Sequence, residues 1–144
     1  MECNIYFLIK DVGISKVKIK KIISAVLINL KKNQNLGLSV NLVGDKKIKS
    51  LNKIYRKKNI ITDVLSFSLL AKDSLISEKS ELGDIFICIP QIKRQARELK
   101  IDFEEEFTRM LVHGVLHLLG FDHQKQKDAV KMFNLQEKIV QNFL

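Results

Sequence analysis

Residues 110–119 constrain the fold more than any other part of the chain, because they read Met-Leu-Val-His-Gly-Val-Leu-His-Leu-Leu. His113 and His117 are the only polar side chains among them, so a helix over this segment is apolar almost all round. Such a helix has to be buried inside a fold. The acidic residues at 104–106 suit the positive end of a helix dipole. The sequence therefore predicts a central buried helix over residues 103–119.

Hydrophobic periodicity predicts the elements around this helix. Apolar residues spaced by three and four predict a helix at 16–31 with Ser15 as its N-cap, and strict alternation predicts a half-buried strand at 36–43. The remaining predicted elements are strands at 4–9, 64–69 and 85–89, a surface loop at 71–82, a turn at Gly83-Asp84, and helices at 45–57, from Pro90 onward and at 125–143.

This order predicts an α+β fold in which a small mixed β-sheet of about four strands packs against about five helices. We expect a single domain over residues 1–144, a length that allows one core. In the second helix, Asp45 is the predicted cap, and Ile48, Leu51 and Ile54 are predicted to face inward.

Two absences predict a cytoplasmic protein that does not enter a membrane. The chain has no apolar run of about eighteen residues, and its first residues lack the basic and then apolar pattern of a signal peptide. Cys3 and Cys88 are far apart and form no CxxC pair. They are therefore predicted to be buried thiols, neither a disulfide nor a metal-binding pair.

The histidines follow the spacing of metal ligands. His113 and His117 are four residues apart, so on a helix they lie on one face and can approach one atom. Gly120 can adopt the left-handed conformation that ends a helix, which allows His123 to return as a third ligand. Three protein ligands leave one tetrahedral position open, as in catalytic zinc sites. We expect one zinc ion per chain, although nickel, cobalt and copper also bind imidazole.

The pattern H-x-x-x-H-x-x-G-x-x-H is the ligand spacing of metzincin proteases. Those proteases need a glutamate directly after the first histidine as general base, and here that position is Gly114. The base must then be a distant carboxylate, the metal-bound hydroxide itself, or a group on the substrate. Asp122 is either a partner that orients an imidazole or a simple turn residue.

Positive charge is concentrated in the first part of the chain, whose net charge is +9. Residues 1–60 contain fourteen Lys and Arg against three acids, whereas residues 61–144 contain eleven against thirteen. A basic half suits a polyanionic substrate such as nucleic acid. The alternative is compositional, because a Lys-rich chain can also reflect the codon usage of a genome.

The histidine segment resembles the signature of the YbeY endoribonucleases, HGxLHLxGYDH. Here it reads His-Gly-Val-Leu-His-Leu-Leu-Gly-Phe-Asp-His over 113–123, with Phe121 in place of the usual tyrosine. A second block matches at Asn52, at Tyr55-Arg56 and at 62–67, which read Thr-Asp-Val-Leu-Ser-Phe. The usual prolines before and after that run are Ile61 and Ser68, and residues 83–88 resemble the family's GD-I-IC strand.

The resemblance implies a fold similar to a metalloprotease core and a zinc-dependent endoribonuclease specific for single strands. It also implies maturation of the 3′ end of small-subunit (16S) ribosomal RNA and ribosome quality control, with the small subunit and assembly factors as partners. The family's functional arginine corresponds to Arg56. The run 56–58 could otherwise be a solvated basic face. The alternatives are a metallopeptidase, or a ribosome-assembly factor whose metal is only structural.

Overall fold

The computed structural model describes residues 2–70, 80–121 and 125–144. Within them it has four strands and five helices, which confirms the predicted α+β class. The elements are β1 (Glu2–Phe7), α1 (Lys16–Asn29), β2 (Gly37–Val43), α2 (Asp45–Arg56), β3 (Val64–Ser68), β4 (Glu81–Cys88), α3 (Ile89–Leu99), α4 (Phe103–Leu118) and α5 (Gln126–Gln141).

The strands form one mixed sheet in the order β1-β2-β4-β3. β1, β2 and β4 are parallel, and β3 pairs antiparallel with β4 as an edge strand. Successive side chains of a strand point to opposite faces. Ile85 and Ile87 of β4 therefore join the main core with α4, whereas Phe86 and Cys88 join a smaller cluster around Ile48 of α2. β4 is therefore covered on both faces.

α4 packs directly on the sheet because it carries a glycine where the two meet. A Cβ atom at Gly114 would lie 3.2 Å from Ile85 Cγ2 and 3.3 Å from Ser66 Oγ. These distances are shorter than ordinary contacts, so the absent side chain lets the helix come close to β3 and β4. Leu111 and Val115 on the same helix are completely buried, as predicted for the segment.

α4 ends in a Schellman motif, in which backbone N–H groups beyond the helix bond back to its last carbonyls. The N–H of Phe121 donates to the carbonyl of Leu116, and that of Gly120 donates to the carbonyl of His117, both at 3.0 Å. Gly120 has a φ of 98°. The prediction that this glycine ends the helix in a left-handed conformation is confirmed.

The predicted turn at Gly83-Asp84 is wrong, because both residues lie inside β4 and pair with Ser68 and Phe67. β4 begins at Glu81, and its register with β2 shifts beside Gly83, whose φ is 140°. A glycine inside a strand often marks such an irregularity. The first part of the predicted loop at 71–82 lies outside the described residues.

The start of α2 and one face of it also differ from expectation. Gly44 is the N-cap, and Asp45 accepts hydrogen bonds from Arg94 instead of capping the helix. Ile48 is buried as predicted, whereas Ile54 is 64% exposed. By contrast, Ser15 does cap α1, since its hydroxyl accepts from the N–H of Lys18 at 3.1 Å.

No helix in the described part of the chain combines the length and the apolar character that crossing a membrane requires.

Candidate metal centre

His113 and His117 are the partly accessible positions on an otherwise buried stretch of α4. Their neighbours Val112, Leu116 and Leu118 are buried, while both histidines are intermediate in exposure. The Nε2 atoms of the two rings are 3.1 Å apart, and the ring planes meet at 75°. The spacing of four residues has therefore brought two ring nitrogens to one point, as the sequence predicts.

This geometry fits a shared metal ion. Two imidazole nitrogens bound to one tetrahedral zinc ion stand about 3.3 Å apart, because each Zn–N bond is about 2.0–2.1 Å long. The observed separation of 3.1 Å is close to that value. The donor set of the two rings therefore suits zinc or another cation that binds imidazole.

A hydrogen bond from outside the helix defines which nitrogen of His113 faces that point. Its Nδ1 lies 2.8 Å from Oε1 of Gln136 on α5, a side chain that is only 5% exposed. Gln136 Nε2 donates to the carboxylate of Glu137 at 3.2 Å, which fixes the orientation of the amide. A carbonyl oxygen can only accept, so Nδ1 carries the proton in the neutral ring and Nε2 keeps its lone pair.

The support for Gln136 continues through a cluster of charges. Arg109 of α4 donates to both carboxylate oxygens of Glu137, with Nε–Oε2 at 2.9 Å and Nη2–Oε1 at 3.0 Å. It also pairs with Glu105 and with Glu106, which is 3% exposed. The Arg109 guanidinium lowers the pKa of the Glu137 carboxyl, so Glu137 stays ionised and remains an acceptor for the Gln136 amide.

The histidine partner is therefore a glutamine that the sequence did not indicate. Gln136 lies 23 residues from His113 along the chain, and no local motif connects them. The partner suggested from the sequence was Asp122. Asp122 and the third predicted ligand, His123, both lie outside the described residues. Within 2–70, 80–121 and 125–144, no three His, Cys, Asp or Glu side chains gather at one point.

The cysteines do not join this centre. Both are buried free thiols, as predicted. Burial raises the pKa of Cys3 to about 11 and that of Cys88 to about 12. Metal binding requires the thiolate, and both thiols stay protonated near neutral pH. Cys88 instead donates to Asp45 Oδ1 at 3.2 Å.

Arg56 is connected to α4 through β3. It is the last residue of α2 and is exposed, and its Nη2 donates to the backbone carbonyl of Ser66 at 2.7 Å. The hydroxyl of Ser66 in turn donates to the carbonyl of Gly114, next to His113, at 3.3 Å. The predicted functional arginine is thus one strand residue away from the helix that carries the histidines.

A family model and individual relatives identify the same protein family for this chain. The chain matches the family model described as Endoribonuclease YbeY over residues 5–144. A protein of that name from Persephonella marina is 39% identical over 133 residues, covering 92% of this chain and 86% of the relative. One from Aquifex aeolicus is 42% identical over 132 residues, covering 92% and 85%. A solution structure from Thermotoga maritima is similar with a TM-score of 0.64 and 30% identity, over 96% of this chain and 86% of that one.

Proposed function

The chain belongs to the endoribonuclease YbeY family, and we propose that it is a zinc-dependent endoribonuclease that cleaves single-stranded RNA. The observation that carries the metal requirement is the approach of His113 and His117, whose Nε2 atoms are 3.1 Å apart. Two imidazoles of an apolar helix that converge in this way are best explained as ligands. We assign His123 as the third ligand from the spacing of the motif alone.

The zinc would supply a Lewis acid that activates water near neutral pH and polarises a phosphoryl oxygen. His113 and His117 would hold it through Nε2. Gln136 keeps the Nδ1 proton of His113 directed away from the metal position, so that this ring binds without first losing a proton. The buried surroundings of α4 strengthen the electrostatic interactions there.

Arg56 would bind the scissile phosphate. A guanidinium has five N–H donors in a planar fork, which matches the oxygens of a phosphate in two parallel bonds. Its contact with Ser66 leaves donors for such a pair and holds the side chain beside α4. In that position Arg56 would stabilise the negative charge that develops on the phosphate oxygens.

The natural substrate we propose is small-subunit ribosomal RNA at its 3′ end, with a further role in ribosome quality control. Support comes from the family and from the basic first part of the chain, which suits RNA. The small ribosomal subunit and its assembly factors would then be partners, and the protein would act in the cytoplasm, where these RNAs are processed.

Two substitutions test the proposal. His117→Ala is expected to lose both bound metal and cleavage of a single-stranded RNA. Arg56→Ala is expected to keep the metal while cleavage falls about 100-fold or more, in the range seen when one charge-stabilising donor is removed. Metal content is measured by elemental analysis and cleavage by gel electrophoresis. Full cleavage by a His117→Ala protein shown to be metal-free would refute the proposal.

Two further measurements separate the rival functions. A metallopeptidase would cleave casein and leave RNA intact. Gly114 argues against this function, because it occupies the position of the protease base and a Cβ there would contact the sheet. A purely structural metal would fill its coordination with protein ligands. Absorption spectra of the cobalt-substituted protein would then not respond to added anions, whereas an open site would change its spectrum.

A further inference from the structure

The last turn of α2 and the residues that follow it, together 53–61, combine exposed apolar and basic side chains. Every residue from 53 to 61 is exposed. Tyr55 is 60% exposed, Ile54 64% and Ile60 58%. The cations of this segment are Lys53, Arg56, Lys57 and Lys58. No acidic residue occurs between Asp45 and Asp63. A solvated basic loop would not need to expose these apolar side chains.

Aromatic rings give part of this segment a defined shape. The rings of Tyr55 and Phe67 meet edge to face with centroids 5.2 Å apart, and Phe67 meets Phe86 in the same way at 5.8 Å. The guanidinium of Arg56 lies over the Phe67 ring, with Cζ 5.0 Å from its centroid. We call Tyr55, Arg56 and Phe67 the aromatic platform.

Backbone and buried contacts hold the platform in place. Asn52 is 3% exposed, and its amide donates to the carbonyl of Ile60 at 3.1 Å. The N–H of Lys58 donates to the Asn52 carbonyl at 3.2 Å, after a left-handed turn at Lys57. These two hydrogen bonds hold the chain after α2 against the end of that helix, which carries Tyr55. A preorganised ring costs little entropy when it binds a ligand.

We propose that Tyr55 on this platform stacks an unpaired base of single-stranded RNA. The inference rests on the proposed function, and it assigns a specificity-determining position that Arg56 and Ser66 connect to α4. Base stacking on aromatic side chains together with a basic groove is how proteins hold single strands without reading their sequence. A base in a duplex already stacks on its neighbours, so the platform would favour unpaired RNA.

The position of the platform links it to the chemistry. Arg56 contributes to both, because it lies over Phe67 and also donates to Ser66, which contacts Gly114 of α4. A nucleotide stacked on Tyr55 would therefore place its phosphate near Arg56. Charge favours RNA over a protein partner, since the surface carries four cations and no acid from 53 to 61.

A fluorescent reporter gives a direct test, because the chain contains no tryptophan and only two tyrosines. Tyr55→Trp is made in a His117→Ala background, so that RNA is bound without being cut. Tyr6→Trp is the matched control, because Tyr6 is 50% exposed on β1, at the other edge of the sheet. Single-stranded oligoadenylate is expected to quench the Tyr55→Trp reporter and leave the Tyr6→Trp reporter unchanged.

Affinity measurements complete the test in the same background. Tyr55→Leu is expected to weaken oligoadenylate binding about fivefold or more, because stacking on a ring is lost. Tyr55→Phe keeps the ring and is expected to retain binding, and Tyr6→Leu serves as the control. Thermal denaturation checks that each variant is folded.

The inference is overturned if Tyr55→Leu binds as well as its parent, if Tyr6→Leu weakens binding equally, or if duplex RNA quenches the reporter as strongly as the single strand. Absence of any RNA response would point to a protein partner and would also reject the inference. If the unmodified protein cuts no RNA while Tyr55→Leu still weakens binding, the proposed cleavage fails and the stacking position stands.

Discussion

A single amide decides which nitrogen of His113 faces the candidate metal position. Gln136 directs its amide oxygen at that ring, because its amide nitrogen donates a hydrogen bond to the ionised Glu137. The helical spacing of the histidines was readable from the sequence, since residues four apart share a face. The glutamine was not, because its contact depends on how α5 packs on α4.

We predict that Gln136→Leu weakens zinc binding about 10- to 100-fold, the usual effect of removing a partner of a ligating histidine. Leucine has a similar volume but accepts no hydrogen bond, so the ring loses the contact that selects its Nδ1–H tautomer. Affinity is measured by competition with a chromophoric chelator.

Gln95→Leu is the control, because Gln95 donates to Glu106 at 2.8 Å in the same charge cluster and has no hydrogen bond to either described histidine, His113 or His117. It is expected to bind zinc as the unmodified protein does. Equal weakening by both substitutions would assign the effect to the cluster as a whole, and unchanged affinity in Gln136→Leu would show that the amide has no role in binding.

At the scale of elements, the two glycines of the motif have different physical roles. Gly114 is required by space, since α4 approaches Ile85 and Ser66 there. Gly120 is required by conformation, since its φ is 98° while a Cβ would meet nothing within 4 Å. The sequence indicated the second role, because a glycine after an apolar helix is a common end signal. It could not indicate the first, which depends on the distance between helix and sheet.

Substitution of each glycine separates these roles. Gly114→Val is expected to lower the free energy of unfolding by roughly 1–3 kcal/mol, because added methyl groups overfill the contact with the sheet. Gly120→Ala is expected to lower it by about 1–2 kcal/mol through backbone strain alone. Gly120→Asn should lose less than Gly120→Ala, since asparagine tolerates left-handed conformations. Urea denaturation measures all three, and a Gly114→Val protein as stable as its parent would contradict the packing argument.

The wrong predictions at Ile54 and Gly83 share a physical cause. Ile54 follows the helical period of buried residues, yet α2 extends past the small cluster around Ile48 and leaves it exposed. Glycine followed by aspartate is common in turns, yet Gly83 pairs with Ser68 of β3 inside the sheet. Periodicity and turn residues report local preference. They do not report where the neighbouring element ends.

At the scale of the whole molecule, charge separates the basic first part of the chain from the part that carries α4. The first part contains β1, α1, β2 and α2, and it ends with the exposed segment at 53–61. If its charges contact RNA phosphates, binding must release counterions and weaken with salt. A Lys-rich composition without a binding surface would give every exposed lysine the same small effect. The two interpretations therefore differ in whether position matters.

We predict that the double substitution Lys57→Gln and Lys58→Gln changes how single-stranded RNA binding depends on salt. The slope of the logarithm of the binding constant against the logarithm of the salt concentration is expected to fall in magnitude by about 1.4, because each phosphate contact contributes about 0.7 for a single strand.

Lys31→Gln with Lys32→Gln is the control, because it removes the same charge from a matched site. Lys31 and Lys57 both have left-handed backbones, with φ of 53° and 57°, and each is followed by an exposed lysine. Titrations at several salt concentrations should show an unchanged slope for the control pair. Equal slopes for the two pairs would mean that the charge acts only through the net total, and the basic segment beside the aromatic platform would not be an RNA-binding surface.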